Sequence, residues 1–377
     1  MADQARDVGG ILRRFGPDYR KNHAGTIAVC QLKAMRAIEI CRTSELGGHV
    51  EECDRCGALR ISYNSCRNRH CPKCQSLSKE RWLEARKRDL LPVKYFHVVF
   101  TLPEALRPLA QGNPREVYTL LFASASATLK QLASDPGHLG ADIGFIAMLH
   151  TWTQTLDAHP HLHCIVTGGG LCDDDRRWKG CRKRFFLPVR VVASLFRGKF
   201  LAGLKRVFRS GSIRMGGEMD GAECRAAFNG LLSRLYAQKW VVYCKPPHYG
   251  VESVVEYFGR YSYRVAISNN RIVDVDRNRV TFRYRDRADG GRLRSLSLAV
   301  EEFIRRFLMH ILPDRFVKIR YYGIMSNRSR REKLKICRRL LAGTEADAPE
   351  PEPEAWQELL LRITGGDVRL CPSCGGI

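Results

Sequence analysis

The chain has 377 residues, of which 63 are lysine or arginine and 39 are aspartate or glutamate, giving a formal net charge of +24. An excess of this size is typical of proteins that bind a polyanion, and nucleic acid is the first candidate. No apolar run is long enough to cross a bilayer, and no apolar core follows a basic lead at the start, so we expect neither a membrane protein nor a secreted one. The fifteen cysteines then indicate a reducing compartment, where thiols bind metal or lie buried.

The first part of the chain combines two predicted helices with a cluster of cysteines. The helices span residues 24–41 and 77–90, and Pro92 ends the second one. Between them, two Cys-x-x-Cys pairs are separated by fourteen residues. Each such turn brings two thiolates to one ion, so two turns predict a closed structural zinc site, with buried free thiols or a redox-active pair as the alternatives. The four predicted ligands are Cys53, Cys56, Cys71 and Cys74.

Other potential ligands lie near this cluster and at the far end of the chain. A second site nearby could use Cys41, His49, Cys66 and His70. The Cys-x-x-Cys of Cys371 and Cys374 is half of a site. It could complete a site with Cys66 or His70, bind metal through a second chain, or bind none, and the sequence leaves these alternatives open.

From residue 95 onward the pattern changes to strands mixed with helices. Strands are predicted at residues 95–102, 143–151, 162–167, 239–245 and 316–322, the third closing in the glycines 168–170. Helices are predicted at residues 114–133, 187–208, 251–264, 299–311 and 329–341, and a hairpin at residues 271–285.

Strands and helices do not alternate regularly in this part of the chain, which favours an α+β fold with an antiparallel sheet flanked by helices. An acidic, proline-rich linker follows at residues 345–354. We therefore expect a zinc-binding and DNA-binding domain at 1–90, the main domain at 91–341, and a linker with a Cys-x-x-Cys tail at 342–377.

The most informative segment is a His-hydrophobic-His strand. Side chains alternate along a strand, so His161 and His163 point to one face while Leu162 and Cys164 point to the other. His150 ends the preceding strand and would lie beside them if the two strands pair antiparallel. Three imidazoles with open positions predict a catalytic divalent-metal site.

Two tyrosines, Tyr257 and Tyr261, are spaced i, i+4 in the predicted helix at 251–264, so their phenols share one face. Core packing would explain such a pair on its own. A phenol has a pKa of about 10 and becomes a nucleophile only beside positive charge. A divalent ion at the histidines would supply that charge.

Basic residues occur in the cysteine loop and again on the last predicted helix. In a chain with a net charge of +24 we favour phosphate contacts over a merely solvated surface. The residues concerned are Arg67, Arg69 and Lys73 in the cysteine loop, and Arg328, Arg330 and Arg331 at the last helix.

Together these features resemble the HUH single-strand endonucleases, and among them the two-tyrosine rolling-circle transposases of the insertion-sequence ninety-one family. The resemblance covers most of the chain. It is carried by residues 63–75, 95–103, 149–152, 159–163, 257–261 and 319–323.

This resemblance implies an HUH-nuclease-like antiparallel sheet and a transposase that cleaves and rejoins single-stranded DNA at element ends and target sites. His161 and His163, with His150, would bind Mg²⁺ or Mn²⁺. Tyr257 and Tyr261 would be the nucleophiles, each forming a 5′-phosphotyrosine link. It further implies a structural zinc and a place in the bacterial cytoplasm, at the nucleoid.

Two other functions fit parts of the pattern. A plasmid replication initiator or a relaxase would use the same chemistry on another substrate, although the four-cysteine module favours the transposase. A zinc-stabilised nucleic-acid-binding protein without catalysis would leave the histidines and tyrosines as core residues.

Overall fold

The computed structural model describes residues 6–172, 174–182, 186–216, 220–248, 253–254, 259, 266–286, 288–342 and 354–376. It divides the chain into two compact units. The amino-terminal unit takes its residues from 1–88, 263–311 and 347–377, and the central unit takes its residues from 89–262 and 312–346. The first predicted boundary lies close to this division, whereas the segment 263–311 groups with the amino-terminal residues and not with the main domain.

The helices in chain order are α1 (Val8–Asn22), α2 (Val29–Glu39), α3 (Gln75–Lys87), α4 (Arg107–Gly112), α5 (Pro114–Ser134), α6 (Val189–Arg209), α7 (Gly221–Ala237), α8 (Val300–Leu308), α9 (Arg330–Ala342) and α10 (Trp356–Thr364). The strands are β1 (Gly48–Glu52), β2 (Leu59–Tyr63), β3 (Tyr95–Thr101), β4 (Asp142–Trp152), β5 (Ala158–Cys172), β6 (Arg177–Gly180), β7 (Val242–His248), β8 (Ile272–Val275), β9 (Arg279–Asp286), β10 (Arg292–Ala299) and β11 (Ile319–Gly323). None of these helices is long and apolar enough to cross a membrane.

Within its described residues, the central unit is built on a six-stranded sheet in the order β11-β4-β5-β3-β7, with β6 paired to β5. Every pairing in it is antiparallel. Helices α5 and α6 pack against each other, and their apolar residues join one face of the sheet in a single core. The predicted α+β fold with an antiparallel sheet is therefore confirmed.

Alternation along β3 explains how the sheet is buried. Phe96, Val98 and Phe100 belong to the core on the helix-covered face, where the ring of Phe100 meets Phe196 of α6 edge-on at 4.9 Å. Tyr95 and His97, which alternate with these residues, point to the opposite face, and each is only 1% exposed. Both faces of this strand are therefore covered, which is typical of a strand in the middle of a sheet.

Strand β5 is longer than the sequence predicts. The glycines 168–170 do not end it, because they lie inside it, next to β4 and β6. A Cβ on Gly170 would lie 2.3 Å from the carbonyl oxygen of Asp142, and one on Gly169 would lie 2.6 Å from that of Lys179. The prediction that the strand closes at these glycines was wrong, since they continue the strand and permit close approach of the neighbouring backbone.

The amino-terminal unit joins helices α1 and α2, the β1–β2 hairpin, α3, and a three-stranded sheet in the order β10-β9-β8. Arg20 of α1 forms an ion pair with the buried Glu39 of α2. The predicted hairpin at 271–285 is confirmed as β8 and β9, and Phe282 of β9 packs on Phe303 of α8 with ring centroids 6.0 Å apart.

Candidate metal centres

One group of four cysteines lies where the loop after β2 folds back onto α2. Cys41 follows α2, Cys74 is the residue before α3, and the Sγ atoms of these two are 3.5 Å apart. The Sγ of Cys66 is 3.7 Å from that of Cys74, and the Sγ of Cys71 is 3.6 Å from that of Cys41. Because a zinc–sulfur bond is about 2.3 Å, the edges of a tetrahedral four-thiolate site are about 3.8 Å. These four sulfurs therefore fit zinc.

A second group joins the turn between β1 and β2 to the carboxyl-terminal tail of the amino-terminal unit. The Sγ of Cys53 is 3.7 Å from that of Cys374, and the Sγ of Cys56 is 3.7 Å from that of Cys371. In each of the two groups, four sulfurs lie within 4.8 Å of one another. All eight cysteines are free thiols in the structure and none forms a disulfide.

The predicted pairing of Cys53 and Cys56 with Cys71 and Cys74 in one site was wrong. Strand β2 occupies five of the residues between the two pairs, and at about 3.3 Å per residue it carries the chain well away from Cys56. The structure instead groups Cys71 and Cys74 with Cys41 and Cys66. Of the residues considered for a second site, His49 and His70 are in neither group.

The thiols of the first group influence one another's ionisation. Hydrogen bonds from Cys66 and Cys71 lower the pKa of Cys74. The pKa of Cys71 is raised by its hydrogen bonds with Cys66 and Cys74 and by burial. Negative charges on four sulfurs this close would repel one another, so the four thiols cannot all lose their protons without a cation among them. This is the electrostatic pattern expected of a metal site.

Three histidines lie together on two neighbouring strands of the central sheet. His150 of β4 is directly opposite His161 of β5, and His163 follows on the same face of β5. Their ligand atoms lie within 4.8 Å of one another. His150 and His163 are buried, and His161 is half-buried. The antiparallel pairing expected to bring His150 beside His161 is thus present.

Hydrogen bonds orient two of these rings. The Nδ1 of His161 lies 2.6 Å from the carbonyl oxygen of His159 and donates to it, so the lone pair of this ring lies on Nε2. The Nδ1 of His163 lies 2.8 Å from the Nε2 of His97 on β3, and the two rings stack with centroids 5.0 Å apart. Metal-binding histidines commonly hold their other ring nitrogen in this way.

Sequence reasoning missed His97. Its strand was predicted, but a lone histidine among Tyr95, Phe96 and Val98 gives no indication that it points toward another histidine. The signal that could have found it is alternation, which places His97 on the face opposite the apolar residues of β3.

Tyr257 and Tyr261, the predicted nucleophiles, lie outside the described residues. The helix predicted at 251–264 is therefore represented only by the helical residues 253–254 and 259.

The residues predicted to contact DNA are of two kinds, namely those that are exposed and those that contact another side chain. Arg67, Arg328 and Arg331 are exposed. Lys73 forms an ion pair with Asp7 at 2.8 Å, and Arg330 contacts Asp89 with its Nε at 3.5 Å from the carboxylate. Arg69 lies against the next residue, with its Nε 3.3 Å from the Nε2 of His70. The three exposed arginines are thus the more accessible candidates for phosphate contact.

Two family models match the chain. One, described as "Transposase zinc-binding domain", matches residues 11–102, and the other, described as "Putative transposase", matches residues 144–333. The second range contains the three clustered histidines. No solved structure matches the chain.

Curated relatives agree with these models. "Putative transposase y4qJ" of Sinorhizobium fredii is 48% identical over 379 residues, which is 99% of this chain and 94% of the relative. "Transposase for insertion sequence element IS801" of Pseudomonas savastanoi pv. phaseolicola is 27% identical over 315 residues, which is 81% of this chain and 72% of the relative. Both the models and the relatives define a DNA transposase with a zinc-binding domain at its amino terminus. The chain belongs to the IS91 family of insertion-sequence transposases.

Proposed function

We propose that this transposase moves its element by a rolling-circle mechanism, in which it cleaves and rejoins single-stranded DNA with the help of a divalent metal. The observation that carries the proposal is the cluster of His150, His161 and His163 on adjacent strands, with two of the rings oriented through their second nitrogen. A structural zinc site needs no open positions, whereas three ligands leave room for a phosphate oxygen and water.

The three histidines would hold the catalytic ion. Their donor atoms are all nitrogens, which suits Mn²⁺ better than Mg²⁺, because Mg²⁺ prefers oxygen ligands. When bound, the ion would polarise the scissile phosphate and stabilise charge in the in-line transition state.

Tyr257 and Tyr261 would be the nucleophiles. The phenolate oxygen of one attacks the phosphorus of a DNA phosphodiester and forms a 5′-phosphotyrosine bond, while the bond to the 3′ oxygen breaks and leaves a free 3′-OH. Attack of a 3′-OH on that link reverses the chemistry and joins the strands, so no external energy source is needed. The second tyrosine allows a second cleavage before the first strand is released.

The remaining parts of the proposal concern substrate and location. Zinc bound by Cys41, Cys66, Cys71 and Cys74 would stabilise the loop that carries Arg67, Arg69 and Lys73. This loop would contact DNA phosphates, and in the central unit Arg328, Arg330 and Arg331 would contact phosphates as well. The substrates would be the ends of the element and its target, which places the protein at the nucleoid in the bacterial cytoplasm.

A cleavage assay on single-stranded DNA from the element's own ends tests this proposal. We expect a covalent protein–DNA adduct on a denaturing gel that requires Mn²⁺, persists in the control Tyr243→Phe, and is absent from the Tyr257→Phe/Tyr261→Phe double variant. Tyr243 is a suitable control because it is 62% exposed on β7. An adduct that survives in the double variant, or that forms only on a plasmid origin, would contradict the proposal.

A further inference from the structure

We propose that a second zinc ion, bound by Cys53, Cys56, Cys371 and Cys374, fastens the carboxyl-terminal tail to the β1–β2 hairpin. The matched zinc-binding family model ends at residue 102 and so contains only half of these ligands. The proposal does not rest on the strand-transfer chemistry, because it concerns a different unit of the molecule.

The two Cys-x-x-Cys turns have the same backbone geometry. In the hairpin, the amide of Gly57 donates to the carbonyl of Cys53 at 2.8 Å, and the amide of Cys53 donates to the carbonyl of Ala58 at 3.0 Å. In the tail, the amide of Gly375 donates to the carbonyl of Cys371 at 2.9 Å, and the amide of Cys371 donates to the carbonyl of Gly376 at 2.7 Å.

The glycine after each turn has a left-handed backbone, with φ of 65° at Gly57 and 68° at Gly375. Such a conformation favours glycine over other residues. Amides of the tail also point at its sulfurs, with those of Ser373 and Gly376 each 3.4 Å from a cysteine Sγ. Two matched turns that face each other with amides on their sulfurs are typical of a zinc ribbon.

The spacing of the sulfurs fits one ion shared between the turns. The contacts of 3.7 Å from Cys53 to Cys374 and from Cys56 to Cys371 both run between the hairpin and the tail. They are close to the roughly 3.8 Å edge of a tetrahedral zinc–thiolate site, and far longer than the roughly 2.05 Å of a disulfide. Four soft sulfur ligands in this arrangement select zinc over the harder divalent ions.

Apolar burial holds the tail only weakly. In the described residues 354–376, Leu359 is the one buried large apolar side chain, while Trp356, Leu361 and Leu370 are 51%, 38% and 41% exposed. Arg362 adds ion pairs to Glu80 and Glu84 of α3 at 3.9 and 3.3 Å. Exposed ion pairs contribute little, so a metal is the main restraint available to a tail that follows an acidic linker.

Zinc content of the full-length protein tests the proposal directly. We expect two zinc ions per chain by native mass spectrometry in the unmodified protein. The variant Cys371→Ser/Cys374→Ser should hold one, Cys53→Ser/Cys56→Ser should also hold one, and the quadruple variant should still hold one. This equality is the signature of a single shared ion. The matched control Cys30→Ser/Cys224→Ser changes two cysteines outside both groups and should keep two.

One zinc in the unmodified protein, or two in the Cys371→Ser/Cys374→Ser variant, would overturn the proposal.

A second measurement does not depend on variants that could fail to fold. A protease site is inserted in the full chain between residues 346 and 352 and cut after purification with zinc. With all cysteines retained, the carboxyl-terminal fragment should then co-elute with the amino-terminal fragment on gel filtration. It should separate from that fragment when zinc is chelated. Its release while zinc is still bound would contradict the proposal as well.

Discussion

The Nε2 of His97 lies 2.8 Å from the Nδ1 of His163 and would determine which nitrogen of His163 is available to the proposed metal ion. If the Nδ1 of His163 donates to the Nε2 of His97, the Nε2 of His163 is left with a lone pair for the ion. The opposite tautomer would place a proton on that Nε2 and prevent binding. A hydrogen-bond acceptor at position 97 would therefore hold His163 in the tautomer that the proposed metal site requires.

We expect His97→Phe to weaken Mn²⁺ binding by about 10- to 100-fold, the usual cost of removing such a partner. His97→Gln keeps an acceptor and should recover part of the affinity. Isothermal titration of the purified protein with Mn²⁺ measures the effect. The control Val98→Ala removes a buried core side chain on the other face of β3, so it should lower the melting temperature without changing Mn²⁺ affinity. If the His97→Phe variant binds Mn²⁺ as tightly as the unmodified protein, His97 only packs against His163 and does not orient it.

Local spacing predicted the histidine cluster but not the partners of the cysteines. His161 and His163 share a face because strands alternate, and His150 needs only a neighbouring strand. The grouping of Cys53 with Cys374 joins positions more than three hundred residues apart in sequence. No periodicity records such a contact, because it depends on how distant segments pack.

At the level of elements, the glycines of β5 are required by the neighbouring backbone. The space beside Gly170 is filled by the carbonyl of Asp142, which cannot move without distorting β4. Gly180 of β6 offers the contrast, since a Cβ there would meet nothing within 4 Å.

We expect Gly170→Ala to lower the free energy of unfolding by about 1–3 kcal/mol, as overpacking of a buried site typically does. Gly180→Ala should change it by about 0.5 kcal/mol or less, as surface substitutions do. Urea denaturation of the zinc-loaded protein, followed by circular dichroism, measures both. Similar losses in the two variants would contradict the steric explanation and would point instead to a general intolerance of side chains at strand glycines.

Three strands of the central unit were predictable from the sequence, whereas helix α1 and strand β10 of the amino-terminal unit were missed, each for its own reason. Strands β3, β4 and β11 follow from their β-branched and aromatic runs. Helix α1 was missed because Pro17 lies inside it, and a proline normally argues against a helix interior. Strand β10 was missed because its exposed Arg–Leu–Arg–Ser pattern gains its pairing only from β9.

At the scale of the molecule, the amino-terminal unit is assembled from three separate stretches of chain. Chain order suggested a simple succession of domains, because composition changes at residue 90 and again at the acidic linker. Contacts such as the hydrogen bond from the amide of Val8 to the side chain of Asn269 show how remote segments close the unit. A sequence contains no local signal for that kind of closure.

With a net charge of +24, we expect DNA binding by this transposase to depend on salt, and two arginines that differ in their pairing allow the predicted contacts to be tested. Arg331 is exposed at the start of α9, whereas the equally charged Arg369 is held by Asp367 at 2.7 Å. Removing either arginine changes the net charge by the same amount. Only the first should remove a phosphate contact and the counterion release that accompanies it.

We therefore expect Arg331→Ala to reduce the slope of log affinity against log salt by about 0.7 for single-stranded DNA, the value for one phosphate contact. Arg369→Ala should leave the slope unchanged. Fluorescence anisotropy of a labelled oligonucleotide across a salt series measures both. Equal reductions in the two variants would show that overall charge, and not contact at α9, governs binding. If the slope is unchanged in both variants, Arg331 does not contact a phosphate, because a protein that has lost a phosphate contact releases fewer counterions when it binds DNA.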